Sequence, residues 1–243
     1  MPNRLNKTEL KQLHNNRWFS QLNSTFQMFI LRHADYKNFE KGHFIFRSGE
    51  AFDGIYAVLD GAVRLGHIDI EGQESVAAIV SPIMWFGEIS FIDGQPRSHH
   101  AVCVQNCKIL KLSKNCLFDL VAEHPEFWRH IAELTSQKTR HLFLELISIQ
   151  TQSLQQRIAQ RLWFILHGYG NHVEIQDFEV HLSQEQLGQM LKSSRQSINQ
   201  ALQSLEQQHI IQVAFKKIKI LDLERLMHLA HQSSEEYKNT VSK

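Results

Sequence analysis

A loop near residue 90 carries side chains that could bind a phosphorylated small molecule. It runs from Phe86-Gly87-Glu88-Ile89-Ser90 to Arg97-Ser98. A glycine lets a ligand approach the backbone, free N–H groups at the start of a short helix attract an anion, and arginine with serine completes a phosphate site. The Glu88 carboxylate can accept hydrogen bonds from a sugar hydroxyl. Alternatively, Glu88 and Arg97 form an ion pair with each other, and this part of the chain binds no ligand.

A second polar segment, around residue 195, could read DNA bases. The S-x-x-Q patterns at 183–186 and 193–196 are capping boxes, and they predict two helices joined by Lys192-Ser193-Ser194. Such a pair is a helix-turn-helix. An arginine at the start of the second helix suits guanine, a glutamine suits adenine, and serines and lysines suit phosphates. The predicted DNA contacts are Ser193, Ser194, Arg195, Gln196, Ser197, Asn199, Gln200, Lys216 and Lys217.

The chain after this helix pair predicts a β-hairpin. The apolar segments 210–213 and 218–220 flank the residues 214–217, so we expect a winged helix-turn-helix. Residues 183–219 carry five basic and two acidic side chains, whereas residues 1–150 carry sixteen of each. This surplus marks the segment as the candidate phosphate-facing surface. The alternative is a helical pair that does not bind DNA.

The first half of the chain supplies the elements that position the loop. Between His43 and Leu112 short apolar segments alternate with glycine turns, which indicates a small antiparallel barrel or roll. After Pro125, about 25 residues without proline or glycine carry an apolar stripe that predicts a long helix pairing with its own copy. The stripe consists of Trp128, Ile131, Leu134, Leu142, Leu146 and Ile149. The polar residues 135–141 are either a solvated face or part of a ligand pocket.

These elements define an α+β fold in three parts. We predict an effector-sensing antiparallel β-roll over residues 1–126, a dimerisation helix over 127–150 and a winged helix-turn-helix over 151–243. The last boundary rests on a capping box at Ser153 that opens a new helix.

Composition excludes several classes of protein. The 243 residues carry a net charge of +1 and lack a long apolar segment, so we expect a cytoplasmic chain with no export signal and no membrane partner. Three cysteines and scattered histidines fit neither a paired zinc motif nor a four-cysteine cluster, and we predict no metal site. Without a recognisable nucleophile and base, we expect no catalytic residue and no enzymatic activity.

The loop, the glycine-punctuated roll and the helix-turn-helix together resemble the CRP/FNR family of transcription regulators over nearly the whole chain. Glu88-Ile89-Ser90 after Gly87, followed by Arg97-Ser98, is similar to that family's phosphate-binding cassette. The resemblance implies that Glu88 meets a ribose 2′-hydroxyl, and that Arg97, Ser98 and the backbone of Ile89 and Ser90 meet a cyclic phosphate. We expect Arg97 to lie in an otherwise solvated site.

The sequence departs from the cAMP-responsive members at the long helix. In those members a Thr-Ser pair fifteen residues before an R-I-A-Q segment contacts adenine, and the corresponding residues here are Leu142-Phe143. Thr139 lies one turn earlier, and Lys138 could approach Glu88 or the phosphate, so an altered nucleotide or another anion remains open. The predicted effector site comprises Gly87, Glu88, Ile89, Ser90, Arg97, Ser98, Lys138, Thr139 and Leu142.

The resemblance implies a homodimeric bacterial transcription regulator. It would respond to a small effector, cAMP or another cyclic nucleotide, bind a near-palindromic double-stranded DNA operator and act on RNA polymerase. Gln196 stands where cAMP-responsive members carry a glutamate. We therefore expect the operator half-site to differ from theirs at the base pair that Gln196 reads. Two alternatives remain: a cyclic-nucleotide-binding module that acts on a protein partner, and an effector-independent regulator with a vestigial pocket.

Overall fold

The computed structural model describes residues 5–68, 71, 74–80, 82–170 and 178–230. These residues fall into two compact units. The N-terminal unit extends to Thr139, and the C-terminal unit begins at Arg140, so the division lies inside the long helix α6 (Phe127–Thr151). Parts of the predicted roll (69–70, 72–73 and 81) and of the predicted DNA-binding domain (171–177 and beyond 230) lie outside the described residues.

Three helices that the sequence analysis did not predict precede the roll. They are α1 (Lys7–His14), α2 (Arg17–Gln21) and α3 (Ser24–His33). Each helix follows an asparagine whose side chain accepts a backbone N–H of the first turn, at Asn6, Asn16 and Asn23. Asparagine is a preferred N-cap residue, so this signal was present in the sequence.

The roll consists of two four-stranded antiparallel sheets within the described residues. The strand order is β1-β8-β3-β6 in one sheet and β2-β7-β4-β5 in the other. The strands are β1 (Asp35–Phe39), β2 (Phe44–Phe46), β3 (Gly54–Asp60), β4 (Val63–Ile68), β5 (Glu74–Val80), β6 (Trp85–Phe86), β7 (His100–Cys103) and β8 (Cys107–Ser113).

Strand β3 lies at the centre of the first sheet and starts close to a neighbouring backbone. Residues Ile55 to Leu59 are all buried, which explains their continuous apolar sequence. At Gly54 a Cβ would lie 2.4 Å from the Leu112 carbonyl oxygen, so a glycine is required for β3 and β8 to pair at this point.

Two helices, α5 (Lys114–Glu123) and α6, follow the roll. The first part of α6 belongs to the core of the N-terminal unit, where Ile131 and Leu134 are fully buried. The predicted dimer stripe was therefore wrong at these two positions, because both belong to one hydrophobic core with Trp18 of α2 and Phe26 of α3. Trp128, in the first turn of α6, is 37% exposed. The other exposed apolar residues of α6 come later, and all are more than half exposed: Leu142, Phe143, Leu146, Ile147 and Ile149.

The C-terminal unit has the predicted helical and hairpin elements. They are α7 (Leu154–Leu166), β9 (Glu179–Val180), α8 (Gln184–Leu191), α9 (Arg195–Gln207), β10 (Ile211–Ala214), β11 (Lys217–Ile220) and α10 (Leu223–Ala230). Capping boxes open α7 at Ser153 and α8 at Ser183, as predicted. The sheet order is β10-β11-β9. The predicted architecture, a β-roll followed by a long helix and a winged helix-turn-helix, is confirmed, whereas the boundaries at 126 and 151 stay predictions.

Candidate functional site

The glycine loop connects β6 to a short helix, α4 (Ile89–Asp93), in the N-terminal unit. Gly87 has φ +91°, and a Cβ there would lie 3.1 Å from Arg97 Nη1, so both the backbone and the available space favour glycine. The Arg97 backbone N–H donates to the Glu50 carbonyl, and its carbonyl accepts from the Gly49 N–H, each at 2.8 Å. The loop is therefore fixed against the turn at 49–50.

Arg97 is buried rather than solvated, with 3% of its surface exposed. Its Nη2 donates to Asp53 Oδ1 at 2.6 Å and to the Gly54 carbonyl at 2.7 Å, and its Nη1 donates to the Gly87 carbonyl at 2.7 Å. Aromatic rings surround the guanidinium, from Phe46, Phe52 and Tyr56. The expectation of a solvated arginine was wrong, because Asp53, Gly54 and Gly87 supply three oxygen acceptors for it.

Asp53 links Arg97 to two further donors and was not found from the sequence. Its Oδ2 accepts hydrogen bonds from Lys111 Nζ at 2.5 Å and from the Tyr56 hydroxyl at 2.6 Å. Burial raises the pKa of Asp53, but the hydrogen bonds from Lys111, Tyr56 and Arg97 together lower this pKa by more, so the net shift is downward. Asp53 therefore stays ionised and balances the charge of Arg97.

Glu88 pairs with the long helix and not with Arg97. The Glu88 side chain is 1% exposed, and its Oε2 accepts from Lys138 Nζ at 2.6 Å. The alternative of a Glu88–Arg97 ion pair is therefore wrong, because each residue has a different partner. The predicted proximity of Lys138 to Glu88 is observed.

Three buried polar atoms around these residues lack a hydrogen-bond partner within the described part of the chain. They are Glu88 Oε1, Arg97 Nε and His99 Nε2. Burial lowers the pKa of His99, and the nearby Lys138 charge lowers it further, which favours a neutral imidazole. Unpaired buried polar atoms are costly, so one acceptor, one donor and one ring nitrogen are available to a small polar ligand.

The remaining predicted effector residues have different local environments. Ile89 and Ser90 form the first turn of α4, where Ser90 is buried. Ser98 is exposed, and its Oγ lies 2.9 Å from His99 Nδ1. Thr139 is exposed and donates to the carbonyl of Thr135 on its own helix. Leu142 belongs to the C-terminal unit, where it is 54% exposed.

The helix-turn-helix of the C-terminal unit has a tight turn. Lys192 ends α8 with φ +48°, a conformation that costs a non-glycine residue about 1 kcal/mol. The Ser193 N–H donates to the Gly188 carbonyl at 3.0 Å. A Cβ at Gly188 would lie 3.1 Å from the Ser193 carbonyl oxygen, so this glycine lets the turn approach α8.

Helix α9 starts one residue later than the predicted capping box. Its N-cap is Ser194, whose Oγ accepts from the Ser197 N–H at 3.1 Å. Ser193 Oγ instead donates to the Leu191 carbonyl at 3.2 Å. The box between Ser193 and Gln196 was therefore wrong: of two adjacent serines, the turn geometry assigns the first to α8.

The two faces of α9 differ in composition. Ile198, Leu202 and Leu205 are fully buried and hold the helix against the unit. The opposite face presents exposed polar side chains in the first half of the helix: Arg195, Gln196, Asn199 and Gln200. These side chains can donate and accept hydrogen bonds outward, as base recognition requires.

The two predicted wing lysines have different environments. Lys216 is exposed at the tip of the hairpin. Lys217 Nζ lies 2.7 Å from Glu179 Oε2 on β9, so part of its charge is compensated within the unit. The charge of Lys216 is therefore the less compensated of the two.

The described residues lack two other kinds of feature, a membrane-spanning helix and a metal-binding cluster. None of the described helices combines the length and the apolar character that a membrane span needs. Within the same residues no three histidine, cysteine or acidic side chains lie close enough to hold a metal ion.

Comparisons with known proteins agree with both units. Residues 36–124 match the cyclic nucleotide-binding domain family, and residues 156–229 match the Crp-like helix-turn-helix domain family. A CRP-like cAMP-activated global transcriptional regulator of Mycobacterium tuberculosis is 26% identical over 194 residues, which is 79% of this chain and 87% of that protein. The cyclic AMP receptor protein of Thermus thermophilus is 26% identical over 193 residues, 79% and 86% of the two chains.

Solved structures support the same fold. A CRP/FNR-family transcriptional regulator from Thermus thermophilus gives a TM-score of 0.61 at 25% identity, covering 81% of this chain and 98% of that one. FixK2 from Bradyrhizobium japonicum gives a TM-score of 0.69 at 18% identity, covering 81% and 96%, and shows the fold alone. These domains and relatives are those of transcription regulators and not of enzymes. The chain belongs to the CRP/FNR family of DNA-binding transcription regulators, with a cyclic nucleotide-binding domain before its helix-turn-helix.

Proposed function

We propose that this chain acts as a homodimer that binds a near-palindromic DNA operator through two copies of α9. The observation that carries this proposal is the exposed polar face at the start of α9, which lies opposite the buried residues Ile198, Leu202 and Leu205. A two-fold dimer places two such helices in successive major grooves, so the half-sites lie about one helical turn apart.

The roles within this interface follow from side-chain chemistry. Arg195 can donate two hydrogen bonds to O6 and N7 of guanine, and Gln196 can pair with adenine. Ser194 and Lys216 suit phosphate oxygens, which position the protein without reading sequence. Ser193, Ser197, Asn199, Gln200 and Lys217 complete the proposed contact set.

Selection from a randomised duplex pool, followed by fluorescence anisotropy at several salt concentrations, tests the DNA-binding function. We expect a symmetric consensus and an affinity that falls steeply with salt. Arg129→Ala, which removes an 83% exposed arginine outside the interface, should leave both results unchanged. A protein without salt-sensitive DNA affinity would instead be a module that acts on a protein partner.

The exposed apolar residues of α6 support the dimer. Leu142, Leu146 and Ile149 are spaced four and three residues apart, so they share one side of the helix, and Phe143 and Ile147 lie beside them. A contiguous apolar surface of this kind on a helix is typical of a protein–protein contact. Burial against a second copy would remove these side chains from water.

For the N-terminal unit we propose a small polar effector, cAMP or another cyclic nucleotide, with RNA polymerase as the downstream partner. The unpaired atoms of Glu88, Arg97 and His99 support a ligand at this place. A cyclic phosphate could use Nη2 of Arg97 only if Asp53 or Gly54 released it, because these two acceptors occupy both N–H groups of that nitrogen.

A second candidate, regulation without an effector, is favoured by the internal ion pairs. Asp53 already neutralises Arg97, and Lys138 already neutralises Glu88. Calorimetry of the purified protein with cAMP, cGMP and cyclic dinucleotides separates the two candidates. Binding heat with one nucleotide, together with a change in operator affinity, supports the effector; operator binding that no nucleotide alters supports the second candidate.

A further inference from the structure

The tip of the β10–β11 hairpin exposes an aromatic ring. Phe215 is 89% exposed, whereas Met28, the next most exposed large apolar side chain in the described part of the chain, is 64% exposed. Removing an aromatic side chain from water is favourable, so this ring offers contact energy to whatever molecule meets the hairpin tip.

The backbone at the tip favours other residue types. Ala214 pairs with Lys217, which leaves Phe215 and Lys216 as a two-residue turn. Lys216 has φ +54°, a conformation that suits glycine or asparagine better than lysine. The sequence therefore keeps a lysine in a backbone conformation that does not favour it, next to the exposed ring, as is common at functional positions.

A cation lies beside the ring. Lys216 Nζ is 5.2 Å from the centroid of the Phe215 ring, and β11 carries a further exposed lysine, Lys219. An apolar ring beside a cation suits a polyanion that also offers an apolar contact, as double-stranded DNA does through its phosphates and stacked bases.

The hairpin directly follows α9, the proposed DNA recognition helix. Strand β10 starts four residues after α9 ends, and the Val213 N–H donates to Glu206 Oε1 of α9 at 2.8 Å. When α9 occupies a major groove, an element packed beside it meets the flanking phosphates and the neighbouring minor groove.

We propose that Phe215 enters the minor groove beside the half-site read by α9, wedges against a base step and bends the operator. This inference rests on the proposed DNA-binding function. Apolar wedges partly unstack a step and kink the duplex, and pyrimidine–purine steps deform most easily. Phe215 would therefore select a flexible step outside the half-site, at a position that no polar side chain of α9 reads.

The test uses the full-length protein and its selected operator, with affinity from anisotropy and bend angle from circularly permuted fragments. Phe215→Ala should weaken binding about tenfold and reduce the bend, with an unchanged salt slope, because no phosphate contact is lost. Phe215→Leu, which keeps an apolar wedge, should retain most of both. Lys216→Ala is the matched control: it should lower the salt slope by about one and leave the bend unchanged.

The failures of the two proposals are distinguishable. Suppose that the wild type selects an operator and that Phe215→Ala binds and bends it equally well. This result overturns the wedge proposal and leaves the proposed DNA-binding function intact. The same result with a loss of transcription assigns the ring to a protein partner, which also overturns the wedge. A wild-type protein that selects no operator overturns both.

Discussion

The Lys138 ammonium group lies 2.6 Å from Glu88 Oε2, so a cation of the long helix occupies an acceptor of the glycine loop. The family resemblance assigns that carboxylate to a ribose hydroxyl. Glu88 is 99% buried while Lys138 remains one quarter exposed, so the pair keeps an otherwise isolated carboxylate neutralised. An effector at this loop must fit beside this ion pair or displace it.

Replacing Lys138 should destabilise the N-terminal unit through Glu88. Lys138→Met leaves a buried charge without a partner, and we expect the free energy of unfolding to fall by about 1–3 kcal/mol. The double variant Lys138→Met, Glu88→Gln should recover part of this loss. Urea unfolding measures it, with Arg129→Ala of the exposed Arg129–Glu133 pair as a control that changes little. Equal stabilities of the single variant and the wild type would contradict the role of the pair.

Arg97→Ala should destabilise the fold, whereas the loss of an arginine from the solvated site expected from the sequence would leave folding intact. The guanidinium is 97% buried, so its removal leaves Asp53 without one of its donors and the carbonyls of Gly54 and Gly87 without theirs. We expect a loss of about 3–5 kcal/mol in the free energy of unfolding. Asp53→Asn in the Arg97→Ala background should be less harmful than in the wild type. A soluble Arg97→Ala protein of wild-type stability would show that the arginine is free to serve a ligand.

The lowered pKa of His99 predicts a loss of stability in acid. Burial and the charge of Lys138 hold this pKa below its ordinary value of about 6.5, so at mildly acidic pH the unfolded chain binds a proton that the folded chain does not. The neutral His99 therefore costs no stability above about pH 6.5, and the free energy of unfolding declines as the pH falls below that value. Unfolding of wild type and His99→Gln between pH 7.5 and 5.5 should show a smaller decline in the variant. His33→Gln, at an exposed histidine, is the control, and parallel declines in wild type and His99→Gln would contradict the prediction.

The exposed face of α6 should hold two copies together. Leu146→Glu places a charge in the middle of that face and should shift the dimer toward monomer in sedimentation at micromolar concentration, because an unpaired buried charge is costly. Met28→Glu changes a side chain on α3 that is 64% exposed and should leave the assembly unaltered. Sedimentation of Leu146→Glu as a wild-type dimer would place the interface elsewhere.

The recognition helix should read guanine through Arg195. Arg195→Ala should weaken operator binding by about 1–3 kcal/mol and relax selection at one base pair. The family resemblance implies a TGTGA-like half-site core, as for cAMP-responsive members. Gln196 allows adenine where their glutamate would accept from cytosine, so we expect a half-site that shares the guanine of that core and diverges at the base pair read by Gln196. Gln196→Glu should restore cytosine there. Selection from a randomised duplex pool checks both variants, and an unaltered TGTGA from the wild type would contradict the role of Gln196 alone.

Local signals predicted the helix boundaries of the C-terminal unit well. The boxes at Ser153 and Ser183 act within one turn, so neighbouring residues suffice to fix where these helices begin. The same kind of signal failed at Ser193, where two adjacent serines can both act as a cap and only the turn decides between them. The asparagine caps of α1 to α3 were equally local and were overlooked.

The partners of charged residues depend on residues far apart in the chain. Asp53 and Lys138 are 44 and 50 positions from Arg97 and Glu88, and no spacing rule pairs them. Likewise, the spacing of Ile131 and Leu142 placed both on an apolar stripe but did not indicate that Ile131 belongs to a core shared with α2 and α3, whereas Leu142 is exposed.

The sequence by itself determined the order of the elements, the glycine loop and the polar face of the recognition helix. These features depend on hydrophobic periodicity, capping and turn chemistry, which act over a few residues. Only the tertiary structure decided that Arg97 is bound by Asp53, that Lys138 binds Glu88 rather than the phosphate site, and that the contiguous exposed apolar surface of α6 starts at Leu142. Burial and ion pairing are set by which distant segments the fold brings together, and a pattern along the chain does not contain that information.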